Sequence, residues 1–332
     1  MAQFRSLDAA DVTQILGAFG VSSDQYAGHQ PIAAGTINTN LRVETRAGLR
    51  FLRVNEGKSP DDVAREAAIV SHVAALGVQT PVPCQAVSGE PYARWRGEIV
   101  SLFPWLPGQT LVRAAVSPDH ARQAGRALAL MHQAGATFPD RRPSRYEPAE
   151  IDRRVETIAR DAASDPLVGD ALALLRPELS DLRRARRADL PAGLIHGDLF
   201  IDNVLFSADR LVALLDFEQA SWGAFAYDLA VTVMAWGFGR DDFRADVVRA
   251  LFEGYVSERP LTVAECAAFA DELRFVACRF AVTRITDVYL KRGAGAAPGK
   301  DFRRYLQRLE RVHQHLAAGD DVLSPPGSRH SG

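Results

Sequence analysis

The sequence predicts an α+β fold in two lobes, an N-terminal antiparallel sheet with one helix and then a mainly helical C-terminal lobe. Three observations carry this. Residues 41–54 alternate between apolar and polar as paired strands do, residues 103–108 break every periodicity, and beyond them apolar residues recur at helical spacing almost to the end. A chain of 332 residues is long enough for two lobes, each with its own core.

The elements follow in order. Residues 8–20 read as a short helix with Val12, Ile15, Leu16 and Phe19 on one face. Residues 41–45 alternate as a strand, Arg46-Ala-Gly48 turns the chain, and 49–54 return as its hairpin partner. Ser59-Pro60-Asp61-Asp62 opens a helix: Ser59 caps it, Pro60 suits the first turn, and the aspartates face its positive end. Val63, Ala67, Val70 and Ala74 form its apolar stripe, and Gly77 suits its end. Pro81 and Pro83 restart an extended chain, and strands are expected to continue through 86–87 and 99–103. Phe103-Pro-Trp-Leu-Pro-Gly108 marks the boundary. The predicted organisation is a first lobe at 1–103, a hinge at 104–108, a second lobe at 109–323 with helices over 121–134, 150–187 and 243–315, and a disordered tail at 324–332.

Composition excludes several function classes. A net charge of -2 gives no general electrostatic reason to bind nucleic acid or an anionic membrane. The three cysteines, Cys84, Cys266 and Cys278, form no CxxC pair, which argues against a disulfide framework and a zinc cluster. Residues 1–11 already carry Arg5, Asp8 and Asp11, unlike a signal peptide, and no apolar run is long enough for a membrane helix. A cytoplasmic protein is expected, as a monomer or homodimer.

The chemistry lies between residues 194 and 228. Leu194-Ile-His196-Gly-Asp198-Leu-Phe-Ile-Asp202-Asn203-Val-Leu-Phe206 is followed by a short turn, then Leu211-Val-Ala-Leu-Leu215-Asp216-Phe-Glu218. The runs 203–206 and 211–215 read as two strands joined through Ser207-Ala-Asp-Arg210. Asn203 then stands near the start of one strand and Asp216 just past the end of the next, so both side-chain oxygens can converge. Phosphoryl transfer needs a base at the acceptor hydroxyl and oxygen ligands for the magnesium ions that bridge the phosphates of ATP. Asp198 precedes Asn203 by five positions, the spacing between the catalytic Asp and the metal-binding Asn of the protein-kinase signature. The pattern assigns Asp198 as catalytic base, Asn203 and Asp216 as magnesium ligands, and His196 as a group that orients the loop. A lone HxD is also a common turn with an Asx hydrogen bond; the ordered set of His, Asp, Asn, hairpin and second Asp is far more demanding.

With LLDFEQA at 214–220 and YDLAVTV at 227–233, this stretch resembles the aminoglycoside phosphotransferase and choline kinase superfamily, most closely the bacterial homoserine kinases of that fold. Further similarities are the GTINTN loop at 35–40, the helix end Leu128-Ala-Leu-Met-His132, and the stretch from Leu273-Arg-Phe to Thr283-Arg284-Ile-Thr-Asp287. The resemblance covers nearly all of residues 30–310 and implies a bilobal, protein-kinase-like fold that binds ATP and magnesium and phosphorylates a small-molecule hydroxyl. It places Gly35, Thr36, Asn38 and Asn40 over the ATP phosphates. Arg53 stands where the fold usually carries a phosphate-binding lysine, with Glu66 as its helical partner, and 101–105, including Ser101 and Phe103, contact adenine through main-chain groups. Arg53 shares a strand face with Leu49 and Phe51. An arginine fork is not equivalent to a lysine ammonium, although it can clamp phosphates bidentately.

Two departures bear on the acceptor. Phe217-Glu218 follows Asp216 where protein kinases have Phe-Gly, and no long activation segment precedes Tyr227-Asp228, which favours a small-molecule kinase. Asp228 is expected to buttress the catalytic loop. Arg279, Thr283 and Asp287 fall at i, i+4 and i+8 with Arg284 nearby, an arrangement with cations for a carboxylate and an anion for an ammonium, and equally with the makings of a solvated ion-pair face. The expected acceptor is L-homoserine, giving O-phosphohomoserine for threonine biosynthesis, with Glu218, Arg279, Arg284 and Asp287 beside Asp198 at the substrate. An aminoglycoside, choline-like or sugar acceptor is the alternative, with Trp222 and Trp236 as candidates to line a cationic pocket. A nucleotide-binding pseudokinase is a reading of a different class.

Overall fold

The computed structural model describes residues 5–32, 38–162, 164–239, 243–292 and 301–326. The chain divides into two units: Met1–Gln109 with Leu205–Ala208 and Val212–Glu218, and Thr110–Val204 with Asp209–Leu211 and Gln219–Gly332. Residues 205–208 and 212–218, expected in the 109–323 lobe, therefore group with the first unit.

In the first unit, α1 (Ala9–Ala18) starts at a capping box in which Asp8 accepts from the Asp11 amide and Asp11 accepts from that of Asp8. Strands β1 (Tyr26–Pro31), β2 (Thr39–Thr45) and β3 (Gly48–Val54) follow, then α2 (Pro60–Ala75), β4 (Ala93–Trp95) and β5 (Glu98–Pro104). The strands form one antiparallel sheet in the order β1-β2-β3-β5-β4. Alternation sets its two faces. Leu41, Val43, Leu52, Val54, Val100 and Leu102 point one way and pack with Val12, Ile15 and Leu16 of α1. Phe51, Arg53 and Phe103 occupy the other face, where Val63 and Glu66 of α2 join them around a small cavity. The strand expected at 86–87 is absent, and Ala86 instead closes a turn with Glu90. Pro81 and Pro83 have no amide hydrogen for a ladder, so the stretch runs extended and touches β5 through the Cys84 amide bond to Leu102, 2.7 Å.

Strand β6 (Gln109–Thr110) and the hairpin β8 (Val204–Ser207) and β9 (Arg210–Leu214) form a small sheet in the order β6-β8-β9. The remainder of the second unit is α3 (Pro118–Gly135), α4 (Pro148–Ala162), α5 (Pro166–Ala185), β7 (Ala192–Ile195), β10 (Ser221–Ala224), α6 (Phe225–Gly237), α7 (Ala245–Glu258), α8 (Val263–Arg284) and α10 (Arg303–Ala317), with a π-helical turn Ile285–Tyr289 leading from α8 into the short α9 (Leu290–Arg292). The single helix expected over 150–187 is two helices. Asp165 caps the second through the amides of Leu167 and Val168, and Pro166 cannot continue the first because it lacks a hydrogen-bonding N–H. Every residue of α6 is buried, and α8 is buried over most of its length. Most of the tail expected at 324–332 lies outside the described residues. No helix among the described residues is long and apolar enough to cross a membrane.

Helices α3 and α7 approach unusually closely because glycine faces backbone on both sides. A Cβ at Gly125 would collide with the carbonyl of Leu251, and one at Gly254 would sit 2.7 Å from the carbonyl carbon of Arg122. Backbone cannot give way as the end of a side chain can. Gly254→Ala is therefore expected to lower stability by about 1–3 kcal/mol, the usual range for overpacking. Equilibrium urea unfolding will show a lower midpoint at constant slope, and an unchanged midpoint would contradict the close approach.

Candidate active site

The loop 196–203 is built from its ends inward. Strand β7 pairs with β10, Ile195 opposite Ser221, and delivers the chain to His196. Asp228, in the first turn of α6, is fully buried. Its Oδ1 accepts the Gly197 amide at 2.7 Å, and its Oδ2 accepts the His196 amide at 2.7 Å and His132 Nε2–H at 2.9 Å. His132 Nδ1 accepts from the Tyr255 hydroxyl at 2.7 Å, and Arg259 donates to that hydroxyl at 3.1 Å. Burial holds the His132 imidazole below its ordinary value, so it is neutral and the contact is a hydrogen bond. Burial alone would raise Asp228, but the hydrogen bonds from His132 and the Gly197 amide keep its carboxyl below the usual range. Gly197 has φ +75°, and a Cβ there would lie 3.1 Å from the Gln219 carbonyl, so this position needs glycine. Asp228 thus supports the loop, as its sequence context implies.

Past Gly197 the chain turns on its own carbonyls. The Asp198 carbonyl accepts from the Phe200 amide at 2.7 Å and from Asn203 Nδ2 at 2.8 Å, while the Asn203 amide bonds to the Phe200 carbonyl at 3.0 Å. The Asp198 carboxylate is left half-exposed, and Asn203, with its nitrogen engaged, has its side-chain oxygen to offer a cation. Trp236 Nε1 donates to the Leu199 carbonyl at 3.1 Å from a buried position, so Trp236 belongs to the core. Trp222 is half-buried with the Arg141 guanidinium 4.7 Å from its ring.

The first unit carries a second constellation. Arg53 lies opposite Asn40 on β2 and Ser101 on β5, with its guanidinium 5.3 Å from the Phe103 ring. It donates to Glu66 Oε1 at 3.0 Å, the pairing anticipated for these two residues. Glu66 also receives Lys58, at 3.3 Å from Oε2, and Lys58 reaches Glu218 Oε2 at 2.7 Å. Burial would raise the Glu66 carboxyl, yet Arg53 and Lys58 together hold it below its ordinary value. Ser101 is buried, its hydroxyl accepting from Asn55 Nδ2 at 3.0 Å. Asp216, exposed just past β9, has φ +63°, a backbone conformation costly for a residue other than glycine and typical of functional turns. Asn38 immediately precedes β2, whereas Gly35 and Thr36 lie outside the described residues.

Asn203 and Asp216 each carry a side-chain oxygen of the kind a hard cation takes. Among the remaining candidates, Arg279 is buried between the rings of Tyr146 and Phe280, 3.8 Å from each centroid. Arg154 lies over the same Tyr146 ring and binds both oxygens of Asp287 at 3.0 Å. Tyr146 thus brings Arg279 and Asp287 into one neighbourhood, with Asp287 already ion-paired. Arg284 stands over the Tyr305 ring at 4.4 Å, within the field of the Asp198 carboxylate. Sequence reasoning missed Lys58 and Arg154. Lys58 carries a usable signal, being one of three lysines in an arginine-rich chain and placed directly before the Ser59 cap.

Comparison with known proteins places this geometry. Residues 28–261 match the model of the phosphotransferase enzyme family. The chain belongs to that family. It is 34% identical over 323 residues to a homoserine kinase of Methylobacterium radiotolerans, covering 96% of this chain and 98% of the relative. It is 32% identical to a homoserine kinase of Xanthobacter autotrophicus, covering 97% and 98%. Among solved structures it is similar to a spectinomycin phosphotransferase in complex with ADP and spectinomycin, with TM-score 0.66, 13% identity and coverage of 95% and 100%, a likeness that shows the fold. The phosphotransferase is a small-molecule kinase of protein-kinase-like fold.

The buried pair fixes a pH dependence. The folded His132 is below its ordinary value of 6.5, so below that pH the unfolded chain takes up a proton that the folded one refuses. Stability should fall as pH drops below 6.5, by up to about 1.4 kcal/mol per unit from this residue. The Asp228 contribution is present above its ordinary value of 3.8 and lost as pH falls through its lower folded value. In urea unfolding at pH 8, 6.5 and 5.5, His132→Gln should be less stable throughout but show a shallower decline than the wild type. Parallel declines would mean that His132 does not titrate in this way.

Proposed function

We propose that the phosphotransferase transfers the γ-phosphate of ATP to the hydroxyl of L-homoserine. The braced loop 196–203 carries this reading. Asp228 takes the His196 and Gly197 amides, and the Asn203 side chain is tied to the carbonyl of Asp198, so base and ligand are fixed relative to each other. Asp198 accepts the proton of the acceptor hydroxyl as the oxygen attacks phosphorus. Asn203 and Asp216 hold magnesium, which when bound neutralises charge on the phosphates. Arg53, oriented by Glu66, contacts the phosphates, as do the loop residues through Asn38 and Asn40. The main chain at Ser101 and Phe103 contacts adenine.

Two observations favour homoserine over a polycation. The homoserine kinases match nearly the full chain. The acids of the segment 271–287 already have arginine partners in the same unit: Asp271 with Arg274, Glu272 with Arg186, and Asp287 with Arg154. An aminoglycoside would need free carboxylates there, whereas an amino acid needs a cation for its own. Arg279 and Arg284 supply that charge, and Asp287 shares its own with Arg154. Glu218 is held by Lys58 and acts through that contact.

ADP release with ATP and magnesium, against L-homoserine, L-serine, L-threonine, choline, kanamycin and sugars, tests the acceptor. Homoserine should dominate, and preferential turnover of kanamycin or choline would replace it. Asp198→Asn should lower kcat by about 10²–10⁴ while ATP affinity holds, and near-normal turnover would remove Asp198 from the role of base. Asp216→Ala should weaken nucleotide binding in the presence of magnesium but not in its absence; equal affinity under both conditions would remove its metal role.

A further inference from the structure

Four charged side chains of the first unit alternate in sign along one line of contacts. Arg53 donates to Glu66 Oε1 at 3.0 Å, Lys58 Nζ lies 3.3 Å from Glu66 Oε2, and the same Nζ lies 2.7 Å from Glu218 Oε2. All four are largely withdrawn from solvent, with side-chain exposures of 11% for Arg53, 10% for Glu66, 15% for Lys58 and 17% for Glu218. Among the described residues, Lys58 is the ion-pair partner of Glu218.

Three pieces of chain meet at this ammonium. Lys58 stands at the joint between β3 and α2, where its amide bonds to the Asn55 carbonyl at 3.3 Å and the Asn55 amide bonds to the Ile99 carbonyl of β5 at 2.8 Å. Glu66 lies in the second turn of α2. Glu218 lies in the short turn Phe217–Gln219, directly after Asp216 with its φ of +63°. A residue other than glycine keeps such a φ only where its surroundings impose it. Phe217, buried, anchors that turn on one side, and the pair of Glu218 with Lys58 anchors the next residue.

The consequence of removing the ammonium follows from charge. Glu66 and Glu218 would then face each other as two carboxylates in a partly buried place, where like charges oppose each other. Glu66 can move away only together with the guanidinium it orients, and Glu218 only together with the turn. Arg53 has little else to hold it, since its Nε is buried without a hydrogen-bond partner among the described residues.

We propose that Lys58 is a positioning residue of the phosphotransferase: its ammonium, shared by Glu66 and Glu218, holds the turn that presents Asp216 and the guanidinium of Arg53 in one fixed relation. This role rests on Arg53 meeting the ATP phosphates, as proposed above, and gives Lys58 no contact with the nucleotide.

Calorimetric titration of the full-length protein with ATP in EDTA, with no divalent ion present, tests the role without any acceptor. Arg53→Gln and Lys58→Met should each weaken ATP binding by about ten- to a hundredfold, the range of a lost charge-assisted hydrogen bond. The double variant should be weaker than Arg53→Gln by no more than about threefold, because no guanidinium is left to position. Glu218→Gln supplies the sign. A lysine that attracted the phosphates directly would be released from a competing carboxylate, and ATP would bind more tightly; a lysine that positions loses an anchor, and ATP should bind about two- to tenfold more weakly. In turnover, Lys58→Met should raise KM for ATP and leave KM for L-homoserine unchanged. Additive losses in the Arg53 and Lys58 variants, tighter ATP binding in Glu218→Gln, or a Lys58→Met protein that is less stable in urea yet binds ATP as the wild type does, each overturns the positioning role and leaves Arg53 at the phosphates. Unchanged ATP affinity in Arg53→Gln overturns the reading of Arg53 and the role of Lys58 with it. Should Lys58→Met fail to fold, Glu218→Gln decides alone: weaker ATP binding upholds the role, and equal or tighter binding overturns it.

Discussion

The second unit is organised around one buried carboxylate. Asp228 takes two main-chain amides from the turn that presents Asp198, and a side chain from α3 donates a third hydrogen bond. A buried carboxylate is tolerable only when hydrogen bonds replace its water, and here it has three. The dependence runs both ways. Without Asp228 the His196 and Gly197 amides are buried donors with nothing to bond, and the turn at Gly197 loses what holds its positive φ. Behind Asp228, the neutral His132 passes the constraint to Tyr255 and Arg259, so the position of Asp198 is set by α3, α6 and α7 at once. This chain of donors explains why α3 and α7 lie so close: the glycines Gly125 and Gly254 bring together the helices that carry His132 and Tyr255.

What the sequence discloses and what it hides follows from where the physics is local. The spacing from Asp198 to Asn203 is visible in the sequence as that of the protein-kinase signature, and its local cause, the Asn203 side chain reaching back to the Asp198 carbonyl, is seen in the structure. The hairpin 41–54 and the cap at Ser59 were readable because their patterns are local. Helix α6 was not, since a helix buried on every side has no polar face and so no period to detect. The division between α4 and α5 is hidden in the sequence because charged residues run through both helices and the one marker, Asp165-Pro166, is short. Lys58 is marked in the sequence only by the rarity of lysine in this chain, and its partners appear only when the fold brings Glu66 and Glu218 to it. Arg53 with Glu66 was anticipated from resemblance, and the strand face on which Arg53 falls supported the pairing.

Arginine dominates the charged chemistry of this chain, and the way it is spent is informative. Arg186, Arg274 and Arg154 each meet an acid on or just beyond α8: Glu272, Asp271 and Asp287. Arg279 is instead sandwiched between two aromatic rings, where a planar, weakly hydrated cation is at home and an ammonium would not be. The acids of this region are therefore committed to internal pairs, while part of the positive charge is stabilised by rings and carbonyl groups. This division of charge within the unit is one that composition alone, at a net charge of -2, conceals.

The same economy operates in the first unit, with the signs reversed. Glu66 is a buried acid that serves two cations, and one of them, Lys58, also holds Glu218. Glu218 follows Asp216 by two residues in the turn beyond β9, so the lysine connects the strained turn that presents Asp216 to the helix that orients Arg53. A lysine suits this bridging position because its compact ammonium can serve two carboxylates from a flexible stem, whereas a guanidinium would favour one bidentate partner. The arginine at 53 and the lysine at 58 then divide the work: Arg53 offers a rigid fork to one oxygen of Glu66, and Lys58 ties the other oxygen to Glu218 in the turn beyond β9. Moving Glu66 would displace both at once, which makes this glutamate the counterpart in the first unit of Asp228 in the second.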